Sequence, residues 1–449
     1  MRLKTPAGVN MIIEILQKHG YEAFAVGGCV RDSIFGRIPD DWDITTSASP
    51  YQVKELFQRT VDTGLQHGTV TVMMGSTGYE VTTYRIDGEY EDGRHPKEVQ
   101  FTSNLTEDLK RRDFTINAMA YSPEQGLIDQ FGGMMDLQKK IIRCVGDPWK
   151  RFGEDALRIL RAVRFAAQLG FTIEENTRQA IVELAPTLVK ISAERIQTEI
   201  VKLLLSHRPQ LWQTVYETGI TRIIMPEFDC IMTTPQNNPH HIGTVGEHTL
   251  LSLPQVEPDK VLRLTMLFHD MGKAETHSTD EQGIDHFYGH QQVGQEIAKK
   301  ILRRLKFDND TIQQVTKLVF WHDYRTLPTP KAVRRAIHQV GEDLFPLLLK
   351  VQRADCLAQS NYLREEKLQR ITQVENIYLE ILRKKQCVSL KTLAVTGKDL
   401  IQEGMQPGPG LGETLQKLLT VVLDDPQMNK KEKLLEYWKK ECLSSTWEH

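Results

Sequence analysis

The stretch AVGGCVRDSIFGRIPDDWDITT, residues 25–46, decides how the amino-terminal part of this chain is built. An apolar run over residues 21–26 stops at Gly27-Gly28 and gives way to residues 29–35, closed by Gly36, which reads as strand, glycine turn and short helix. Residues 41–45 then read as a short strand. Side chains alternate faces along a strand, so Asp41 and Asp43, two positions apart, project the same way and can share a metal. Residues 69–74 and 79–85 read as a hairpin about the turn Gly75-Ser76-Thr77-Gly78. Glu80 on that hairpin offers a third carboxylate, and three hard oxygen ligands suit Mg²⁺ carrying a triphosphate. Two such ions, ~4 Å apart, lower the pKa of an attacking hydroxyl and stabilise a leaving pyrophosphate. Gly27 and Gly28 let backbone N–H groups approach phosphate oxygens, and Arg31 adds charge there. Alone, a Gly-Gly turn is only a turn and an Asp-x-Asp only a solvated pair. Their ordered succession carries the reading.

Outward from this stretch, the 449 residues exceed one ordinary core and predict three or four domains at ~100–200 residues each. The apolar and charged fractions, 40% and 26%, are those of a folded protein. Glu14 and Lys18 interrupt the first apolar stretch, no export signal is visible, and no segment reaches the ~18 uncharged apolar residues of a membrane helix. Six scattered cysteines with no Cys-x-x-Cys pair argue against a disulfide framework and a zinc knuckle, and point to a reducing cytoplasm. The net charge of −3 gives no global attraction to nucleic acid. Residues 139–202 hold twelve Lys and Arg against eight Asp and Glu, a local basic surface on what reads as helices. The first ~130 residues are mixed α/β by pattern. From Lys139 onward the pattern is helical almost to the end, with a linker expected at residues 228–241, a break near residues 387–397 and a loop at residues 404–412.

Three segments together, Gly27-Gly28-Cys29-Val30-Arg31-Asp32, Asp41-Trp42-Asp43 and Arg111-Arg112-Asp113-Phe114-Thr115-Ile116-Asn117-Ala118, resemble the head of bacterial tRNA nucleotidyltransferases, the class shared by CCA-adding enzymes and bacterial poly(A) polymerases. The resemblance implies that Asp41 and Asp43 carry Mg²⁺, with Glu80 as the third carboxylate. It implies ribose and triphosphate contacts at Arg112, Asp113 and Asn117. In Glu154-Asp155-Ala156-Leu157-Arg158, Asp155 and Arg158 are three apart, so on a helix they share a face and present an acceptor beside several donors. An arginine donates to cytosine O2 and N3 while an aspartate accepts from the N4 amine, and selecting adenine requires the pair to shift. The Glu-Asp-x-x-Arg motif of the family performs this selection, which supports the assignment. Arg161 and Arg164 continue the helix as triphosphate or tRNA contacts. Ile191-Ser192-Ala193-Glu194-Arg195-Ile196 resembles the neck motif of the family, with Glu194 and Arg195 as structural props. Residues 85–101 resemble the flexible loop of full CCA-adding and A-adding enzymes, which disfavours a CC-only enzyme.

Beyond the linker, His248, the doublet His269-Asp270 and Asp355 resemble in order the signature of HD-domain metal phosphohydrolases, with Ni²⁺, Mn²⁺ or Co²⁺ as the implied metal. His290 and His322 are candidates to hold a second ion. The last helical stretch resembles the tail of long CCA-adding enzymes, expected to hold the tRNA elbow, and offers Lys398, Lys417, Lys430 and Lys431 as phosphate contacts.

The expected fold is therefore an α+β nucleotidyltransferase head of the polymerase-β type at residues 1–138, a helical neck at 139–227, an HD-type body at 228–375 and a helical tail at 376–449. The expected reaction adds C, C and A to the tRNA 3′ end from CTP and ATP, with tRNA as partner and no membrane. Three alternatives stand beside it: an A-adding enzyme or poly(A) polymerase, a metal phosphohydrolase whose head only binds RNA, and a non-catalytic tRNA-binding protein.

Overall fold

The computed structural model describes residues 1–87 and 99–444 and divides into two compact units, Met1–Asp229 and Cys230–His449. The first unit is organised around a seven-stranded sheet. In chain order its strands are β1 (Ala23–Val26), β2 (Asp43–Thr46), β3 (Thr60–Gly64), β4 (Thr69–Met74), β5 (Thr77–Thr83), β6 (Met119–Ser122) and β7 (Gly126–Asp129). Across the sheet they run β3-β4-β5-β2-β1-β6-β7. Only β2 and β5 pair parallel, which sets Asp43 directly opposite Glu80. β1 is buried along its whole length, as a strand with neighbours on both edges should be. Helix α1 (Ala7–Lys18) buries Val9, Ile12, Ile13 and Leu16, the single stripe that 3.6-residue periodicity makes.

Gly27 ends β1 at φ +83°, a backbone conformation that side chains resist, and the chain enters α2 (Gly28–Ile34). Two expectations need correction here. β2 begins at Asp43 rather than residue 41, because its ladder with β1 ends at the pair Val26 and Asp43, where Gly27 turns away and leaves Asp41 no partner. The hairpin turn between β4 and β5 is the two residues Gly75-Ser76, since Met74 already pairs with Thr77 and Gly75 takes φ +65°. Of the expected loop at residues 85–101, positions 88–98 lie outside the described residues. Its two ends, Arg85–Asp87 and Val99–Phe101, pair antiparallel.

Four helices of this unit matter below: α3 (Leu105–Lys110), α4 (Pro148–Glu154), α5 (Leu157–Leu169) and α6 (Ala193–Leu204). Nearly every residue of α5 is buried, and Gly170 closes it in the left-handed conformation.

The second unit is helical apart from a short two-stranded ribbon. It contributes α7 (Val245–Ser252), α8 (Lys260–Phe268), α9 (His290–Arg304), α10 (Asn309–Trp321), α11 (Phe345–Ala358) and α12 (Arg364–Arg383). Its core includes Leu318, Val333, Ile337, Phe345, Leu348 and Leu419. The expected linker at 228–241 is helical in its first part, within Pro226–Thr233, because no breaker intervenes before Pro235. The expected loop at 404–412 likewise ends early, since Pro409 starts the helix Pro409–Asp424 at the position where its missing N–H costs nothing. Among the described residues no helix is long and apolar enough to cross a membrane, and Cys29, Cys144, Cys230, Cys356 and Cys387 are free thiols.

Candidate functional site

In the first unit the acidic pair is set by the side chain between its members. Trp42 is buried, while Asp41 and Asp43 on either side of it are exposed. Protein packed around Asp43 raises its carboxyl pKa. Arg112 opposes that rise, and the neighbouring charges of Glu80 and Asp41 add to it. Three carboxylates and one guanidinium thus converge where the start of β2 lies against the middle of β5. Carboxylates gathered this closely are the donor set that suits a small divalent cation.

Arg112 also approaches the glycine turn. A Cβ added at Gly27 would meet its Nη1 at 3.1 Å, so both the positive φ and the clearance require glycine there. Gly28 opens α2, where a Cβ would lie 3.5 Å from Nη2 of Arg31. Arg112 is steered by Asp108, a buried carboxylate on α3 that also accepts from Arg111 at 2.8 Å and from Thr45 at 3.1 Å. Burial raises the Asp108 carboxyl, but Arg111 and Arg112 outweigh this and hold its pKa below the ordinary value. Sequence reasoning passed over Asp108, although its spacing of three and four residues to the two arginines was a visible signal.

Arg31 is buried, donates to Asn117 at 2.6 Å and forks onto Asp32 at 2.9 and 2.7 Å. Asp113 accepts from Arg161 at 2.9 and 2.7 Å, from Asn117 at 3.1 Å and from its neighbouring Phe114 N–H at 2.8 Å. Burial alone would raise its carboxyl, yet these donors bring it down to about 2. Arg164 sits over the Phe165 ring at 3.8 Å and pairs with buried Glu199 at 2.6 Å, so it is used within the packing of α5 against α6.

The expectation that Asp155 and Arg158 share one helix face is corrected. α4 ends at Glu154, and Asp155 is extended, with φ −143° and ψ 103°. Its Oδ1 accepts from the backbone N–H of Leu157 at 3.0 Å, which spends this side chain as a cap between α4 and α5. Asp155 is also held by Arg195 of α6 at 2.7 Å. Arg158 donates to Glu154 at 2.7 Å and to the carbonyls of Arg151 and Arg111, both at 2.9 Å. Arg195 thus holds the acceptor and Glu154 the donor. Glu154 serves Arg151 as well, at 2.6 Å. Glu194 lies in the first turn of α6.

A second cluster lies in the second unit. His248 is on α7, His269 and Asp270 follow α8, His290 opens α9, His322 follows α10 and Asp355 is on α11. The Nδ1 of His269, His290 and His322 lies 2.8, 2.9 and 2.6 Å from the backbone carbonyls of Met266, Phe287 and Val319. A carbonyl only accepts, so each Nδ1 carries the proton and each Nε2 presents a lone pair. His248 Nδ1 likewise lies 3.4 Å from the Ala358 carbonyl, and the Nε2 atoms converge: that of His269 is 3.3 Å from that of His248, and that of His290 is 3.2 Å from that of His322. Asp270 stands between the two pairs, with Oδ2 3.3 Å from His269 and Oδ1 3.5 Å from His322. Asp355 reaches His248 at 2.8 Å. Facing lone pairs repel unless a cation lies between them, so the donor set fits a divalent metal in each half. The two triads His248, His269, Asp270 and Asp270, His290, His322 share one carboxylate. Lys273, unremarked in the sequence, is buried and donates to Asp270 at 2.7 Å and to Gln236 at 2.8 Å.

Of the lysines expected to meet RNA, Lys398 lies in the helix Gly397–Gln402, Lys417 in Pro409–Asp424 and Lys431 at the start of Lys431–Ser444, preceded by Lys430. Lys431 ion-pairs with Asp399.

Three family models match the chain: "Poly A polymerase head domain" over residues 23–143, "Probable RNA and SrmB- binding site of polymerase A" over 170–232 and "tRNA nucleotidyltransferase domain 2 putative" over 275–438. The chain is 37% identical over 425 residues to a CCA-adding enzyme of Levilactobacillus brevis, across 94% of this chain and 95% of that protein. Its fold matches the Bacillus stearothermophilus CCA-adding enzyme crystallised with CTP, at a TM-score of 0.75 and 29% identity, over 99% of this chain and 100% of that one. It also matches the fold of the Thermotoga maritima CCA-adding enzyme complexed with tRNA, at a TM-score of 0.60 and 20% identity, over 98% of this chain and 100% of that one.

Proposed function

The chain belongs to the family of CCA-adding enzymes, and on that footing we propose that it completes the tRNA 3′ end with C, C and A from CTP and ATP, using no nucleic-acid template. The 3′-hydroxyl oxygen of the terminal ribose bonds to the α-phosphorus of the incoming nucleotide. The bond between the α-phosphorus and the bridging oxygen breaks, pyrophosphate leaves, and the hydroxyl proton passes to solvent or a nearby base.

The observation that carries this reading is the convergence of Asp41, Asp43 and Glu80 beside Arg112. The three carboxylates would hold Mg²⁺, which when bound supplies charge for the phosphates and acidity for the ribose hydroxyl. The chain does the rest. Gly27 and Gly28 let the triphosphate approach the backbone, and Arg112, oriented by Asp108, faces its charge. Asp113 and Asn117, with Arg31 and Arg161 bonded to them, shape the ribose subsite. Asp155 accepts from the base amine and Arg158 donates to the ring, each positioned by its own partner. Lys398, Lys417, Lys430 and Lys431 are offered to the tRNA backbone, and Arg164 acts through packing. We assign residues 1–138 to the head, 139–227 to the neck, 228–375 to the body and 376–449 to the tail, and a cytoplasmic setting accords with the free thiols. Purified protein given tRNA lacking CCA should add two C from CTP alone and then one A when ATP is supplied. Long A tails on unrelated RNA would reject this in favour of a poly(A) polymerase.

The converging Nε2 atoms favour a second reading for the second unit, a metal-dependent phosphohydrolase of the HD type. Water oxygen bonds to phosphorus, and the ester oxygen leaves with a proton. His248, His269, Asp270 and Asp355 would hold one ion, and His290 and His322 with Asp270 another. Hydrolysis of 2′,3′-cAMP with added Ni²⁺, Mn²⁺ or Co²⁺ tests it, and activity that survives Asp270→Asn would remove this role.

A further inference from the structure

The metal-ligand cluster of the second unit opens into a cavity of about 500 Å³, within the ~300–1,000 Å³ of small-ligand sites. Asp270, His290, His322 and Asp355 line it, and so do two cations that no metal needs, Arg325 and Lys367. A smaller hollow of about 120 Å³ shares His322, Asp355, Arg325 and Lys367 and adds Arg370.

Both cations are tied to α12. Lys367 on α12 spends hydrogen bonds on two neutral acceptors, Gln359 at 2.6 Å and Nδ1 of His240 at 3.0 Å. Burial, then the charges of Lys367 and Arg325, keep His240 neutral. Burial lowers the Lys367 pKa as well, with Arg325 adding to it against Cys356, Asp355 and Asp323. One turn further along α12, Arg370 donates to the carbonyls of Thr326 and Arg325 at 3.3 and 3.0 Å, and so fastens the loop that carries Arg325. Asp355 points one oxygen at His248 and accepts from Gln359 with the other at 2.9 Å, while Asp323 makes a long ion pair of 3.6 Å with Arg325, whose side chain is 70% exposed and open to a further partner. The charge of Arg325 weighs on Lys367, in part screened by solvent, and an anion bound at both relieves it. On the cavity's wall His286 and Tyr288 stack with their planes 9° apart, and Tyr288 is 79% exposed, an aromatic face for a planar base.

We propose that Arg325 and Lys367 form a second anion subsite beside the metal-ligand cluster, so that this centre takes a nucleoside bisphosphate, one phosphate at the metal ligands and the other at the two cations. The proposal rests on the phosphohydrolase reading of the same cluster.

The test uses the full chain loaded with Mn²⁺ and dialysed, with adenosine 3′,5′-bisphosphate and adenosine 5′-monophosphate as probes. Equilibrium binding is measured in the cold, and chromatography establishes that the probes stay intact. Wild type is compared with Arg325→Gln, Lys367→Gln and the conservative Lys367→Arg, so that binding at the first unit cancels. Each Gln variant should weaken the bisphosphate about tenfold, the worth of one charged hydrogen bond, leave the monophosphate within about twofold, and keep wild-type metal content. Lys367→Arg should restore most of the loss. Equal losses for both probes, or no loss, would overturn the subsite while leaving the metal centre standing. Identical Mn²⁺ content in wild type and Asp270→Asn would overturn the metal centre and the subsite together.

Discussion

Arg195→Met should blunt nucleotide choice without dismantling the protein. Arg195 holds Asp155 through Nη2 at 2.7 Å, supported by Nη1 at 3.4 Å. The paired side chains are 23% and 16% exposed, so solvent screens the interaction only in part. A charged hydrogen bond contributes ~1.5–3 kcal/mol when well shielded, and the exposure here reduces that to about 1–2 kcal/mol. Without Arg195, Asp155 keeps its cap on Leu157 but loses the contact that aims its second oxygen. If that aim is what distinguishes C from U, the ratio of kcat/KM for CTP over UTP should fall about 5–30-fold, while tRNA binding changes little and the thermal midpoint drops by only a few degrees. The assay is single-nucleotide incorporation on tRNA lacking CCA, with each triphosphate titrated separately. Methionine keeps the aliphatic length, so packing loss is small. An unchanged ratio with a slower rate for both triphosphates would refute the reasoning and leave Arg195 a prop of the neck.

Further outcomes follow from the same geometry. Gly27→Ala puts a Cβ at φ +83° and 3.1 Å from Arg112, so nucleotide addition should drop at least about tenfold while stability falls by only about 1–2 kcal/mol; wild-type kinetics would contradict the turn's role. Asp270→Asn should abolish stoichiometric Mn²⁺ retention, read by elemental analysis, and leave C and A addition within about twofold; retained metal would contradict the shared carboxylate. Asp113 has a folded pKa of about 2, below its unfolded value of ~3.9. Its contribution is therefore fully present above pH ~4 and lost as pH falls toward 2. The gap in unfolding free energy between wild type and Asp113→Asn, on the order of 2 kcal/mol, should stay level from pH 7 to about 4 and narrow below; narrowing between pH 7 and 5 would contradict the assignment.

The glycine turn, the acidic pair and the histidine-aspartate doublet were legible because each is local. One strand that ends before Gly27 and a second that begins at Asp43 leave their marks in consecutive residues, and the side chains flanking buried Trp42 are both exposed even though Asp41 lies outside the ladder. The opposition of Asp43 and Glu80 was legible only as a possibility, since it requires β2 and β5 to be parallel neighbours. Asp155 was misread for a physical reason. A helical spacing says nothing about whether a carboxylate will prefer to cap the next helix, and Asp155 does. Arg325 and Lys367 left no trace in the sequence, because a loop after α10 and the first turns of α12 meet only through the packing of helices in the second unit.

The claim most exposed to test is that Asp41 and Asp43 act at the phosphorus. Single-turnover incorporation of C on tRNA lacking CCA should fall at least about a hundredfold in Asp43→Asn, with tRNA affinity within about twofold of wild type. An incorporation rate equal to that of wild type would contradict the account.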